Sequence, residues 1–464
     1  MTVAALADHP KKLTPSRVRN TSWADGLRGI AAVGVVASHT TLCFARYIVP
    51  PSFGEDGSVA LFQRPFFRLV GQGQAFVAIF FVLLGFVNSL KPATLARSGA
   101  VSDALNTLAT SAFRRTGRLV FPAAAVTVIA WFFCQFGAFK IAKKTDAYWL
   151  SATSPQPSPS WPAAVGDLVR QLISTWVYGD NQYDQPQWAL LSLFKASLYV
   201  FMTLLATVNT SPRFRLTAEI ILYMWSWATN DCIVGINAFA GMILAELSLL
   251  PPPSPKSLLV EIIPYPFAIL GLYLCSFPDE FYEQTAWTRQ LWQIGLAIFP
   301  AGANMGRFFA GIGAQMLCFA ILFSPSMRHA LSNRWLLWLG EISFPIYLLH
   351  GPLMRSVMTY MLFLPSALFF KPAVLEDGTP DPNSAIPIPS FLKLMIVCPI
   401  FFAFLLVVAR LWLRKVEPYF GTATNAFEKF ARTWGRTPSA NREKEKLDGN
   451  GGLLPTVVIR NCVS

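Results

Sequence analysis

The sequence predicts an all-α, polytopic integral membrane protein with about ten transmembrane helices. Of its 464 residues, 53% are hydrophobic and only 14% are charged, and the mean hydropathy is +0.44. A soluble globular domain carries about 25% charged residues. Several apolar stretches approach the roughly 20 residues that an α-helix needs to cross a bilayer. These observations favour a membrane protein over a soluble one.

Ten segments are predicted as spans, and the fifth and sixth of them are short. They are 26–45, 70–90, 119–139, 187–208, 215–230, 233–249, 258–277, 305–324, 338–363 and 391–413. With a cytosolic N-terminus, ten spans place most Lys and Arg residues on the cytosolic side, as the positive-inside rule expects. Both termini are therefore predicted to be cytosolic. The region 284–304 is also compatible with a re-entrant segment.

The distribution of apolar and polar residues along the sequence divides the chain into three predicted parts. The parts are a cytosolic N-terminal tail (1–22), a membrane domain (23–415) and a cytosolic, largely disordered C-terminal tail (416–464). No apolar core precedes the first span, so a cleavable signal peptide is not expected. Orientation and attraction to lipid explain the net charge of +13 better than binding to nucleic acid. The cysteine spacing suggests neither a metal site nor a disulfide framework.

Two long loops are predicted on the side opposite the termini. The first, 140–186, contains the proline-rich stretch 151–162 and several aromatic residues, and the second is 364–390. Loops of this length are typically functional or disordered. The first loop is a candidate cover for a substrate entrance.

The first span carries an unusual pair of ionisable residues. Arg28 and His39 are eleven positions apart, so at about 100° per residue they share a helix face and lie about 16 Å apart along its axis. Asp25 falls within about 40° of the same line. Because ionisable groups at membrane depth are costly, a functional role is the default interpretation. The alternative is that Arg28 anchors the helix at the headgroups and His39 hydrogen-bonds a neighbouring helix.

A basic cluster precedes the third span. Arg115 and Arg118 are one helical turn apart and can face one anion together, with Arg114 beside them. Guanidinium groups suit phosphates because they form bidentate, charge-assisted hydrogen bonds. The alternative is a plain positive-inside anchor.

Two later segments also carry candidate polar side chains. Trp188 opens the fourth span, and Lys195 within it requires a polar partner or an interfacial position. In the ninth span, Tyr347 and His350 share a helix face, and nearby prolines free carbonyl groups that can line a polar cavity. Snorkelling of Lys195 and helix packing by the Tyr–His pair are equally compatible with the sequence.

These motifs together resemble the membrane acyltransferase-3 family, especially its fungal members. Asp25-Gly26-Leu27-Arg28-Gly29, followed by His39, is similar to the first-helix signature of that family. The second span, the Arg115-x-x-Arg118 element and the segment 339–352 match further family motifs in the same order. The resemblance covers roughly 23–415. The segment 188–197 departs from the pattern, because Leu193 stands where the family usually has Glu.

The resemblance implies an O-acyltransferase that moves an acyl group, most simply acetyl, from acyl-CoA to a hydroxyl of a small natural product such as a terpenoid or polyketide. Acylation of a cell-surface polysaccharide, or a transporter with the same fold, are the alternatives. It implies His39 as general base, a role that suits an imidazole whose pKa lies near neutral pH. The other implied residues are Arg28 and Asp25 for catalysis, Arg115, Arg118 and Arg114 for acyl-CoA, and Trp188, Lys195, Tyr347 and His350 for the acceptor.

The expected environment follows from the same resemblance. The endoplasmic reticulum is the expected membrane for a eukaryotic member without a targeting signal. The expected partners are the bilayer and a small-molecule acceptor, with no metal and no nucleic acid. The sequence gives no indication of the oligomeric state.

Overall fold

A computed structural model describes residues 21–55, 57–251, 260, 262–375, 379, 381 and 384–434. Over these residues the protein is helical, and the only β-type pairing is an isolated bridge between Thr145 and Ile386. The predicted all-α class is therefore confirmed for the described part of the chain.

The helices, numbered in chain order, begin with α1 (Ser22–Phe44), α2 (Gly73–Arg97), α3 (Val101–Gln135), α4 (Lys140–Lys143), α5 (Tyr148–Thr153), α6 (Trp161–Val177), α7 (Trp188–Thr207), α8 (Pro212–Ala228) and α9 (Gly235–Ser248). They continue with α10 (Pro264–Cys275), α11 (Ala286–Ile298), α12 (Met305–Phe323), α13 (Pro325–Leu331), α14 (Arg334–Glu341), α15 (Ser343–Leu353), α16 (Thr359–Leu368), α17 (Phe391–Lys415) and α18 (Glu417–Thr433). Short 3₁₀ helices lie at Arg46–Ile48, Leu61–Gln63, Phe67–Gly71, Gln185–Gln187 and Tyr282–Gln284, and a π-helix at Met354–Met358.

Six stretches in this part of the chain are long and apolar enough to cross a membrane, so the protein is an integral membrane protein, but the count of ten spans is not confirmed. The six are Ser22–Phe44, Gly73–Arg97, Val101–Gln135, Gln185–Thr207, Met305–Phe323 and Phe391–Thr433. The predicted sixth and seventh spans correspond to α9 and α10, which are apolar but have only 14 and 12 residues. The region 284–304 contains α11, a helix of 13 residues.

The predicted ninth span, 338–363, is not a single helix. It is divided at Ile342 into α14 and α15, and α15 then passes through the π-helix into α16. Pro345 is tolerated because it lies in the first turn of α15, where the missing N–H breaks no helical hydrogen bond. Single π-turns inside α-helices frequently occur at functional sites.

Helix α1 lies at the centre of the bundle, against α2, α14 and α15. Its approach to α14 is close enough that a Cβ on Gly29 would lie 2.7 Å from the backbone nitrogen of Gly340. A Cβ on Gly340 would in turn lie 2.3 Å from the carbonyl oxygen of Asp25. Since real Cβ atoms do not come this close, the two glycines allow the backbones to meet, as small residues do in membrane helix pairs. This contact fixes the charged start of α1 beside α14.

The two long loops are held together above the C-terminal end of α1. The first contains α4, α5 and α6, and its Asp146 N–H donates to the carbonyl oxygen of Ile386 at 2.9 Å. The Ile386 N–H donates to the carbonyl of Lys144 at 2.8 Å. This pairing keeps α5 against α1.

The segment assigned to the C-terminal tail begins with a helix. Helix α18 packs on α3, where Arg114 forms an ion pair with Glu428 at 2.7 Å. Gly117 makes room for Thr424, whose hydroxyl would lie 2.3 Å from an added Cβ. The rest of that segment, from residue 435, and the N-terminal tail up to residue 20 lie outside the described residues.

Candidate active site

The site is built around two histidines from distant parts of the chain. Nδ1 of His39, in α1, lies 2.9 Å from Nε2 of His350, in α15, although the residues are 311 positions apart. The two rings are nearly parallel, with centroids 5.1 Å apart. Trp149 of α5 stacks on His39 with centroids 4.7 Å apart. The imidazole of His39 therefore points into the bundle rather than towards lipid.

The hydrogen bonds determine which nitrogen of each neutral histidine carries the proton. Nδ1 of His350 lies 2.6 Å from the carbonyl oxygen of Tyr347, which only accepts, so this nitrogen carries the hydrogen. Nε2 of His350 is then the acceptor, and Nδ1 of His39 donates to it. Nε2 of His39 is left without a hydrogen and can take up a proton. The series of hydrogen bonds from the Tyr347 carbonyl through His350 to His39 thus orients a base, as a carboxylate does in other catalytic sites.

Behind the histidines lies a buried ion pair. Arg355, on the π-helix, contacts Asp184 at 3.1 Å, and both side chains are almost fully buried. Arg355 also donates to the carbonyl oxygens of Gly351, Thr153 and Tyr183. These bonds join α15, the end of α5 and the loop before α7, so the pair holds the surroundings of His350 in place.

A lower cavity lies towards the N-terminal end of α1 and has a volume of about 510 Å³. It is lined by three of the four basic residues predicted on α1 and α3, by several apolar side chains and by carboxylates. The lining includes Asp25, Arg28, Arg115, Arg118, Leu193, Tyr347 and Glu417. A pocket of this size with convergent guanidinium groups suits an anionic ligand that has an apolar part.

The arginines of the lower cavity are held by specific contacts. Arg28 forms an ion pair with Asp25 at 3.0 Å and donates to the Ser343 hydroxyl and the Gly340 carbonyl, each at 3.0 Å. Arg115 donates from Nε to the Ser197 hydroxyl at 3.0 Å. Each guanidinium therefore keeps further N–H groups for a ligand.

An upper cavity of about 230 Å³ lies towards the C-terminal end of α1 and includes His39. Its charged and aromatic lining also includes Arg68, Trp188, Asp279, Arg307 and Tyr347. Val77 and Tyr347 line both the upper and the lower cavity, and the Tyr347 hydroxyl donates to the carbonyl of Pro186. Only a thin wall of side chains therefore separates the two spaces.

The predicted site residues fall into three groups. Arg28, Asp25, Arg115 and Arg118 line the lower cavity, whereas His39 and Trp188 line the upper one and Tyr347 lines both. The structure thus does not bring Arg28 or Asp25 to His39.

The other three predicted residues lie outside both cavities. His350 contacts His39 instead of lining a cavity. Arg114 is turned to Glu428, and Lys195 is exposed on the surface of α7.

Sequence reasoning missed several residues of the site. Arg68, Asp279 and Arg307 were not singled out, although each is a charged residue near the end of an apolar segment. Trp149 is one of the several aromatic residues of the loop 140–186, and nothing in the sequence distinguishes it from the others. Glu417 supplies a carboxylate to the lower cavity, where Leu193 contributes only an apolar side chain. The available signal was the concentration of charged residues at one end of several spans, but it does not show which loops meet.

Comparisons with known proteins identify the family of the chain. A family model described as an acyltransferase domain matches residues 21–410. The O-acetyltransferase PaAT-1 of Phomopsis amygdali is 28% identical over 387 residues, which cover 73% of each chain. The acyltransferases R4 of a Phoma species and clz18 of Cochliobolus lunatus are 23% and 22% identical, over 74% of this chain and 85% of each relative. No solved structure matches. The chain therefore belongs to the membrane acyltransferase-3 family, as its first-helix motif predicted.

Proposed function

We propose that the protein transfers an acyl group, most simply acetyl, from acyl-CoA to a hydroxyl of a small natural product such as a terpenoid or polyketide. The observation that carries this proposal is His39, whose Nδ1 is held by His350 and whose ring lines the upper cavity, separate from the lower cavity that Arg28, Arg115 and Arg118 line. The printed names of the fungal relatives, an O-acetyltransferase and two acyltransferases, support it.

In the proposed reaction the donor occupies the lower cavity. Arg28, Arg115 and Arg118 bind the phosphates of coenzyme A, since guanidinium groups form charge-assisted hydrogen bonds to phosphate. The pantetheine arm extends along the apolar wall towards Tyr347, so that the thioester reaches the thin wall between the cavities. Fixing both reactants in this way replaces a collision in solution by a step within one complex.

The acceptor occupies the upper cavity with its hydroxyl at His39. Nε2 takes the hydroxyl proton as the acceptor oxygen bonds to the thioester carbon. The tetrahedral intermediate then expels the coenzyme A thiolate, and the proton that His39 took from the acceptor hydroxyl passes to this thiolate. His350 stabilises the imidazolium that forms between these steps, because it accepts the Nδ1–H of His39. No covalent acyl-enzyme is needed.

The proposal includes the arrangement in the membrane. Coenzyme A is cytosolic, so the lower cavity and both termini face the cytosol, and the endoplasmic reticulum is the proposed membrane. The shorter helices α8, α9 and α10 and the divided segment α14–α16 would complete about ten crossings. The carboxylate of Glu417 stands in for the family Glu that Leu193 replaces, so that departure does not favour a transporter.

A labelling assay tests the function. Microsomes from cells that express the protein are given acetyl-labelled acetyl-CoA and an extract of hydroxylated small molecules, beside microsomes from cells with an empty vector. We expect a new labelled product that remains after coenzyme A and its thioesters are removed. Mild alkali should release the label from this product as acetate. Unmodified solute that only changes compartment would instead identify a carrier.

Replacing His350 tests the orientation of His39. We expect His350→Ala to lower kcat about 10- to 100-fold, the range of a lost hydrogen bond to a charged group, with the KM for acetyl-CoA unchanged. His350→Gln should retain most of the activity, because its side-chain carbonyl can still accept from Nδ1 of His39. Equal activity of the alanine variant and the wild type in steady-state kinetics would contradict this role.

A further inference from the structure

Arg68 is buried in the wall of the upper cavity with hydrogen-bonding capacity to spare. It lies on the 3₁₀ helix that precedes α2, and its side chain is 1% exposed. One nitrogen, Nη2, donates to the carbonyl of Val49 at 2.8 Å. Nε and Nη1 have no partner among the described residues. A buried cationic group without its hydrogen bonds is costly, so such a group in a cavity wall is suited to a ligand.

Two further charges complete the polar end of this cavity. Arg307, on the first turn of α12, lies with its guanidinium 5.1 Å from the ring centroid of Trp188. Asp279 lies between them in chain order, and its buried Oδ1 has no hydrogen-bond partner in the described part of the chain. Gly306 makes room for this carboxylate, because an added Cβ would lie 2.4 Å from Oδ1.

The carboxylate of Asp279 is not paired directly with either arginine in the described part of the chain. Among the described residues, Asp279 forms no ion pair within 4.0 Å with Arg68 or Arg307. Burial raises the pKa of Asp279 to about 6, and the positive charges of Arg307 and Arg68 oppose that rise. With this carboxylate ionised, one net positive charge remains at this end of the cavity.

We propose that Arg68 and Arg307 form a subsite for a carboxylate on the acceptor, whose hydroxyl lies at His39 in the same cavity. The acceptor is therefore a small hydroxy acid. Its carboxylate would supply the acceptor atoms that the Arg68 nitrogens lack, and Asp279 would accept from a further hydroxyl of the same molecule. This inference rests on the proposed acyl transfer and specifies the class of acceptor.

The test compares one acceptor pool in two chemical forms. An extract of small molecules from the source organism is divided, and one half is treated with trimethylsilyldiazomethane, which converts carboxylic acids into methyl esters and leaves alcohols intact. Microsomes that contain the full-length protein then receive labelled acetyl-CoA with either half. We expect the methylated half to accept at least about tenfold less label, because the esters lack the charge that the arginines bind.

Variants connect that preference to the subsite. Arg68→Met is expected to raise the KM for acceptors in the untreated half at least about tenfold and to remove most of the preference over the methylated half. Arg307→Gln should act in the same direction without disturbing the bond to Val49. The matched control is Arg64→Met, since Arg64 is exposed four residues earlier on the same segment. Size-exclusion profiles in detergent verify that each variant is folded.

The outcomes separate the two proposals. Equal labelling of the two halves by the wild type would overturn the carboxylate subsite and leave acyl transfer intact. A full preference for the untreated half in both folded arginine variants would overturn the assignment of Arg68 and Arg307. The absence of labelled product from either half with the wild type would count against acyl transfer itself, and the subsite would fail with it.

Discussion

Replacing His39 by alanine is expected to lower kcat for acyl transfer by about 10²- to 10⁴-fold, the range that a positioned general base contributes. The physical reason is that alanine cannot take up the proton of the acceptor hydroxyl, and among the described residues that line the upper cavity His39 is the only histidine. The KM for acetyl-CoA should change little, because His39 does not line the lower cavity. Initial rates at saturating donor, per folded protein in detergent, measure the effect.

The control for this variant is His329→Ala. His329 is exposed on α13 and lies outside both cavities, so its replacement should leave the rate within about twofold. His39→Gln keeps a polar side chain against Trp149 but lacks a basic nitrogen, and it should be as inactive as the alanine variant. A His39→Gln enzyme with a tenth or more of the wild-type kcat would rule out the base.

The second large effect is expected at Arg115. Arg115→Met should raise the KM for acetyl-CoA about 10- to 100-fold, since a charge-assisted contact to phosphate is lost from a partly buried site. The kcat at saturating donor should change much less. Acetylpantetheine, which lacks the nucleotide and its phosphates, should be used by the variant and by the wild type at similar efficiency. Steady-state kinetics with both donors measures the difference.

Arg114→Met is the matched control for that experiment. Arg114 is the preceding residue, but it is turned to Glu428 of α18 and lies outside the lower cavity. Its replacement should reduce thermal stability in detergent through the lost ion pair and leave the KM for acetyl-CoA unchanged. If the two neighbouring variants raised that KM equally, a general loss of positive charge, and not a donor site, would be the explanation.

Helical periodicity was sufficient to predict which residues share a face, but not which helices meet. The spacing of Arg28 and His39 placed them on one stripe of α1, and in the structure each lines a cavity of the bundle. The partner of His39 could not be found in this way, because His350 lies on another helix and periodicity carries no information about contacts between helices. The same limit hid Arg68 and Arg307, which come from a loop and a helix end more than 200 positions apart.

The span count illustrates a different limit. Apolar composition predicted a span over 338–363, yet the backbone there is divided at Ile342 and again by the π-helix. Hydropathy records how apolar a stretch is and does not record where its hydrogen-bond ladder is interrupted. Lys195 was ambiguous for a related reason, since a lysine in an apolar helix can face a cavity or the surface, and here it is exposed.

The thin wall formed by Val77 and Tyr347 has a consequence for the order of events in turnover. In the proposed reaction, coenzyme A leaves through the lower cavity, by which acyl-CoA enters. The acylated product leaves through the upper cavity, at the other end of α1. Neither departure has to wait for the other, and neither incoming molecule blocks its co-substrate. Such an enzyme works through a ternary complex that can assemble in either sequence.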